Sequence, residues 1–144
     1  MGRIIAIDYG QKLVGIAVTD ELQITANALT TIHSKDILNF LSEYIAKENV
    51  ECIVVGEPKQ LDDTQSQSEK FIIPFLKQLQ KLFPLIPIKR YDERFTSKMA
   101  FQTMIDAGLK KQDRKNKLLL NSISATIILQ SYLESIQSNN TKRE

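Results

Sequence analysis

Residues 4 to 19 read Ile4-Ile5-Ala6-Ile7-Asp8-Tyr9-Gly10-Gln11-Lys12-Leu13-Val14-Gly15-Ile16-Ala17-Val18-Thr19, and this stretch decides the fold. Two β-rich runs, 4–8 and 13–19, flank Tyr9-Gly10-Gln11-Lys12, a tight turn. The pair is a hairpin that starts almost at the first residue. Gly15 lies inside its second strand. A glycine there forfeits packing and costs backbone entropy, so it marks a bulge or a close approach of another backbone. Asp8 closes the first run, where a carboxylate meets the turn.

Outward from the hairpin, residues 24–32 supply a third strand. Ser34 can cap a helix to about Lys47, because Ile37, Leu38, Leu41, Tyr44 and Ile45 recur at helical spacing. The run from Glu51 to Gly56 is almost wholly apolar, which suits a parallel strand covered on both faces. The polar segment 57–67 reads as a loop. The helix after it carries Phe71, Ile72, Phe75, Leu76 and Leu79, and Pro74 demands a kink or a late start. Ile86 to Tyr91 is a short strand that ends at Asp92-Glu93. Thr96 or Ser97 can cap a helix to about Ala107, stopped by Gly108. A last helix spans about 117–136, and the polar residues 138–144 read as a frayed tail. The order β-β-β-α-β-α-β-α-α gives an α/β fold, a mixed five-stranded sheet with helices on both faces, in one domain over 1–137.

Composition narrows the classes. Of 144 residues, 42% are hydrophobic and 25% charged, which is globular rather than disordered. A formal charge of +2 says little about partners. Cys52 is the one cysteine, so no intrachain disulfide can form, and the run Cys-Ile-Val-Val makes it a buried strand thiol. No stretch approaches the ~20 apolar residues of a membrane helix, and the first residues are too short an apolar run for a signal peptide. A cytoplasmic protein without membrane contact is expected.

Ligands in open α/β sheets gather beyond the C-terminal ends of strands. Asp8, Gly56, Asp92 and Glu93 stand at such ends. A strand-end carboxylate can hold Mg²⁺ or Mn²⁺ through oxygen. It can equally be a solvated turn acid, or in the case of Glu93 an ion-pair partner of Arg94, and residue types alone leave these readings balanced. His33 is the only histidine and has no company for a zinc site. Gly56-Glu57-Pro58 lacks the Gly-Lys-Ser/Thr ending of a phosphate loop. The interval 89–117 holds Lys89, Arg90, Arg94, Lys98, Lys110, Lys111, Arg114, Lys115 and Lys117 against Asp92, Glu93, Asp106 and Asp113. A basic surface beside strand-end acids suits a phosphate backbone, and a solvated helix terminus would carry the same charges.

Four blocks together carry a resemblance. They are Ile7-Asp8-Tyr9-Gly10-Gln11-Lys12 with Val14-Gly15-Ile16-Ala17-Val18-Thr19-Asp20; Val54-Val55-Gly56-Glu57-Pro58 with Asp62-Asp63-Thr64; Asp92-Glu93-Arg94-Phe95-Thr96-Ser97 with Ala100 and Gly108; and Arg114-Lys115 with the run from Ala125 to Leu133. Over nearly its whole length the chain resembles the YqgF/RuvX family of pre-16S ribosomal RNA nucleases, once labelled Holliday junction resolvases and similar in fold to ribonuclease H. The resemblance implies a nuclease dependent on Mg²⁺ or Mn²⁺, with acids on the first strand, the late strand and the last helix. Asp8 and Glu93 match the first two and become the metal ligands. The third catalytic position falls on Asn121, where the family usually has aspartate. An amide offers one acceptor oxygen and no charge. Leu13 stands where arginine is common, and Glu57 where an apolar residue is usual. Lys12, Lys89, Arg94, Lys98, Arg114, Lys115 and Lys117 are the candidate backbone contacts.

The implied substrate is structured nucleic acid, pre-rRNA before DNA, with the ribosome or its precursor as partner. Three activities stay open: cleavage at the 5′ end of pre-16S rRNA, binding to RNA or the ribosome with weak or no catalysis, and cleavage of DNA junctions.

Overall fold

In the computed structural model, residues 2–58, 69–93 and 117–143 are described, and within the last segment the side chains of 121–137. The strands are β1 (Arg3–Tyr9), β2 (Leu13–Thr19), β3 (Ala26–His33), β4 (Val50–Glu57) and β5 (Ile88–Asp92). The helices are α1 (Ile37–Lys47), α2 (Glu69–Leu82) and α3 (Lys117–Arg143). One sheet runs in the order β3-β2-β1-β4-β5. β1, β2 and β3 form an antiparallel meander, while β4 joins β1, and β5 joins β4, in parallel. The mixed five-stranded sheet expected from the sequence is the observed one.

Side-chain alternation divides the core in two. Ile5 and Ile7 of β1 face one way, with Ile53 and Val55 of β4, against Ile37 and Leu41 of α1 and Ile72, Phe75 and Leu79 of α2. Tyr9 belongs to that face and stacks on Phe75 with ring centroids 4.3 Å apart. Ile4 and Ala6 face the other way, with Cys52 and Val54, against Ala125, Ile128, Leu129 and Leu133 of α3. Helices on both faces explain the unbroken apolar run of β4. Each fully buried isoleucine contributes ~1.5–3 kcal/mol, so the two layers hold β1 and β4 as the rigid centre of the sheet.

Two local expectations are revised and a third, the alternative of a kink or a late start at Pro74, is narrowed. The first helical turn is a 3-10 turn, Ser34–Asp36, before α1, and it is capped by His33 rather than Ser34: the backbone N–H of Lys35 donates to His33 Nδ1 at 3.1 Å. Ser34 instead donates its hydroxyl to the Gln11 carbonyl at 2.7 Å and its N–H to that of Lys12 at 2.9 Å, tying α1 to the hairpin turn. α2 runs through Pro74 with no late start. Proline removes one N–H from the ladder, and the carbonyl this leaves is that of Lys70, on an exposed residue where water can reach it. α3 continues to Arg143, through the polar residues expected to fray. The helix expected after Thr96 lies outside the described residues. No helix among the described residues is long and apolar enough to cross a membrane.

Candidate metal and nucleic-acid site

The site grows from one row of the sheet. Asp8 pairs with Gly15 across β1 and β2. Ile7 pairs with Val55 across β1 and β4, so the next step in register sets Asp8 beside Gly56. Alternation turns all three toward α3. Asp8 is thus a carboxylate flanked on both sides by glycines, at the C-terminal end of two parallel strands.

The glycines are required by what lies on them. A Cβ on Gly15 would collide with the backbone carbonyl of Asn121, at the start of α3, and would come within 2.9 Å of the Ser122 nitrogen. This is the close backbone approach that Gly15 signals in the sequence. A Cβ on Gly56 would sit 2.9 Å from Ile128 Cδ1, 3.2 Å from Glu93 Cδ and 3.3 Å from Glu93 Oε1. The Glu93 carboxyl therefore rests on Gly56, one strand away from Asp8. Asn121, Asp8 and Glu93 come together across three adjacent strands and one helix end. Asn121 approaches through its backbone over Gly15, and its side chain is half-buried.

Electrostatics show the proximity. Burial pushes the Asp8 carboxyl up from its ordinary 3.8 to about 6. Glu93 is pushed from 4.5 to about 7, first by burial, then by the Asp8 charge, while Arg90 draws it down. Two neighbouring carboxyls that resist ionisation are an arrangement that a cation relieves. Among the described residues no group of three or more His, Cys, Asp or Glu converges. The carboxylates near one another are those of Asp8 and Glu93, and Asn121 is placed by its backbone over Gly15.

Behind this row, on the α2 face, lies Arg90. Its Nη2 donates to Glu69 Oε1 at 2.7 Å and to the Gly56 carbonyl at 3.0 Å, its Nε to the Val55 carbonyl at 3.3 Å, and its Nη1 to Glu69 Oε2 at 3.3 Å. Glu57 Oε2 is 3.6 Å from Nη1. Glu57 thus turns to the face opposite Asp8, where it engages Arg90. Glu69 is buried. Sequence reasoning missed this cluster, yet its signal was present. Glu69 precedes Ile72, Phe75 and Leu79 on the buried stripe of α2, and Arg90 shares a face with Ile88 at a spacing of two.

The expected backbone contacts separate. Lys12 is exposed in the hairpin turn, at the same end as Asp8. Lys89 is exposed on the α3 face but nearer the other end of the strands, in a recess with Glu51, Cys52 and Tyr132. Arg94, Lys98, Arg114 and Lys115 lie outside the described residues, and Lys117 begins α3 with its side chain not described. Cys52 is the buried strand thiol expected, its ionisation opposed by burial.

Comparisons with known proteins bear on the family and the fold. The family described as "RuvX: Holliday junction resolvase" matches residues 2–135. A protein of Phocaeicola vulgatus named "Putative pre-16S rRNA nuclease" is 57% identical over 135 residues, covering 94% of this chain and 97% of that one. A Flavobacterium psychrophilum protein of the same name is 58% identical, covering 92% of this chain and 97% of its own. Among solved structures, T. thermophilus RuvC in complex with Holliday junction substrate superposes with a TM-score of 0.62, covering 95% of this chain and 96% of that one at 16% identity. That likeness, at 16% identity, is one of fold. A family match over almost all of the chain and relatives more than half identical along it make this chain a member of the RuvX family.

Proposed function

We propose that the chain is a metal-dependent endonuclease that hydrolyses a phosphodiester near the 5′ end of pre-16S rRNA, in the cytoplasm and on the ribosome precursor. The observation that carries this reading is the pair of half-buried carboxyls, Asp8 and the Glu93 that rests on Gly56 beside it, at the end of a row of the sheet kept open by glycines. The curated relatives, named for pre-16S rRNA, point to the substrate.

The donor set fits a hard divalent ion. Two neighbouring carboxylates suit Mg²⁺ or Mn²⁺, and the missing Cβ atoms at Gly15 and Gly56 let the Asn121 backbone and the Glu93 carboxyl close in on the row that carries Asp8. When bound, the ion polarises a phosphoryl oxygen and makes water a better nucleophile. The residues do the rest. Asp8 and Glu93 hold the ion, and each must give up its proton to do so. Ile128 and the glycine floor form an apolar wall that strengthens the electrostatics of the pair. Lys12 stands at the same edge for a backbone phosphate. Arg94, Lys98, Arg114, Lys115 and Lys117 are proposed to extend that contact along the strand, as one basic surface.

Asn121 favours a second reading. A neutral residue at the third position leaves less charge to neutralise a second ion, so the chain could bind the same RNA with little turnover. One experiment separates the readings: incubate wild type and Glu93→Gln with a pre-16S leader RNA and a four-way DNA junction, varying Mg²⁺ and Mn²⁺ separately. Metal-dependent cutting of the RNA that the variant abolishes is the expected result. Tight RNA binding without cutting in any metal overturns the nuclease reading in favour of the binding one, and preferential cutting of the junction assigns the activity to DNA.

A further inference from the structure

Arg90 spends an unusual number of contacts for a residue on the far side of the sheet from the carboxylates. A single guanidinium reaches the last two β4 carbonyls before Glu57, both oxygens of the buried Glu69, and approaches Glu57. A charge-assisted fork of this kind fixes geometry as well as charge. What it fixes is Gly56, and Gly56 is the floor on which the Glu93 carboxyl lies. It also joins that floor to the first turn of α2, where Glu69 sits only 3% exposed. Glu69 and Arg90 demand each other, because either one buried alone would carry an uncompensated charge.

We propose that Arg90 is a positioning residue for Glu93: through the Val55 and Gly56 carbonyls it sets the height of the β4 end, and so the place of the Glu93 carboxylate beside Asp8. This inference rests on the reading of Asp8 and Glu93 as the ion-holding pair. A plain structural ion pair would stabilise the α2–β4–β5 junction and leave the site unmoved. A positioning role makes ion affinity depend on the fork. Glu57 belongs to the same device, as a second acid at the guanidinium that shares its charge with Glu69.

The test uses two variants of the full chain. Arg90→Met removes the fork, and Arg90→Lys keeps the charge but offers a single ammonium that cannot span two carbonyls and a carboxylate. Crystal structures of both are compared with wild type, and Mn²⁺ affinity is measured by calorimetry on each folded protein. The expected result is a Glu93 carboxyl displaced from Gly56 in both variants, with Mn²⁺ bound about tenfold more weakly. In cleavage, kcat falls while KM for RNA holds. Should Arg90→Met fail to fold, Arg90→Lys carries the same expectations. Glu93 still resting on Gly56 with wild-type Mn²⁺ affinity, in either folded variant, overturns the proposal. If wild type neither binds Mn²⁺ nor cuts RNA, the metal reading fails, and the crystal structures still decide whether Arg90 places Glu93.

Discussion

Replacing Asp8 with asparagine is expected to stabilise the fold above pH 7 while removing a proposed metal ligand. In the folded chain the Asp8 carboxyl is raised from 3.8 to about 6, because burial disfavours its charge. A raised carboxyl binds more protons folded than unfolded, so stability is full below pH ~4 and falls as pH rises through the folded value. The interval between 3.8 and about 6, at ~1.4 kcal/mol per pH unit, corresponds to ~3 kcal/mol. Asp8 is only half-buried, and solvent screening reduces the figure to ~1–2 kcal/mol. Glu93 adds to it, since the Asp8 charge is its second cause of elevation. Asp8→Asn should therefore raise Tm at pH 8 by ~3–6 °C in metal-free buffer, and by little at pH 4. Thermal or urea denaturation at the two pH values, with chelator present, reads this directly. A variant less stable than wild type at pH 8, or a difference unchanged between the two pH values, would refute the claim that Asp8 is held at a cost to the fold.

Gly15→Ala should cost about 3 kcal/mol or more, since its Cβ meets the Asn121 backbone rather than a side chain that could turn away; equilibrium unfolding measures it. Gly56→Ala should cost about 1 kcal/mol but weaken Mn²⁺ binding, because the atoms it displaces are Ile128 Cδ1 and the Glu93 carboxyl. Asn121→Asp should tighten Mn²⁺ or Mg²⁺ binding and raise metal-dependent cleavage, and equal affinity and activity would place Asn121 outside the site. Neutralising Lys115 and Lys117 together should flatten the salt dependence of RNA binding by roughly one to two in log–log slope, read from filter binding at several salt concentrations.

The sheet was legible in the sequence because its evidence is local. The hairpin follows from two β-rich runs around Tyr9-Gly10-Gln11-Lys12, and β4 from an apolar run with both faces covered. Gly15 announced a close approach without saying of what. That the visitor is the Asn121 backbone depends on a contact 106 positions along the chain (121 − 15), which no local pattern encodes. Asp8 and Glu93 were found as strand-end acids, and their meeting needed the parallel β1–β4–β5 order. The His33 cap was missed because Ser34 is the stronger capping type, while Ser34 is drawn instead to the hairpin turn. The Arg90 cluster was missed although a charged residue on each apolar stripe pointed to it. A buried pair shows in sequence only when both stripes are read together.

Mn²⁺ calorimetry at pH 6.5, in two buffers of different ionisation enthalpy, tests most directly whether Asp8 and Glu93 hold an ion between them. With carboxyls at about 6 and about 7, the recess carries about one proton at that pH, and binding should release it. Wild type is expected to bind Mn²⁺ with about one proton released, and Glu93→Gln to bind at least tenfold more weakly with most of the release gone. Mn²⁺ binding of equal strength and equal proton release in wild type and Glu93→Gln would contradict the site.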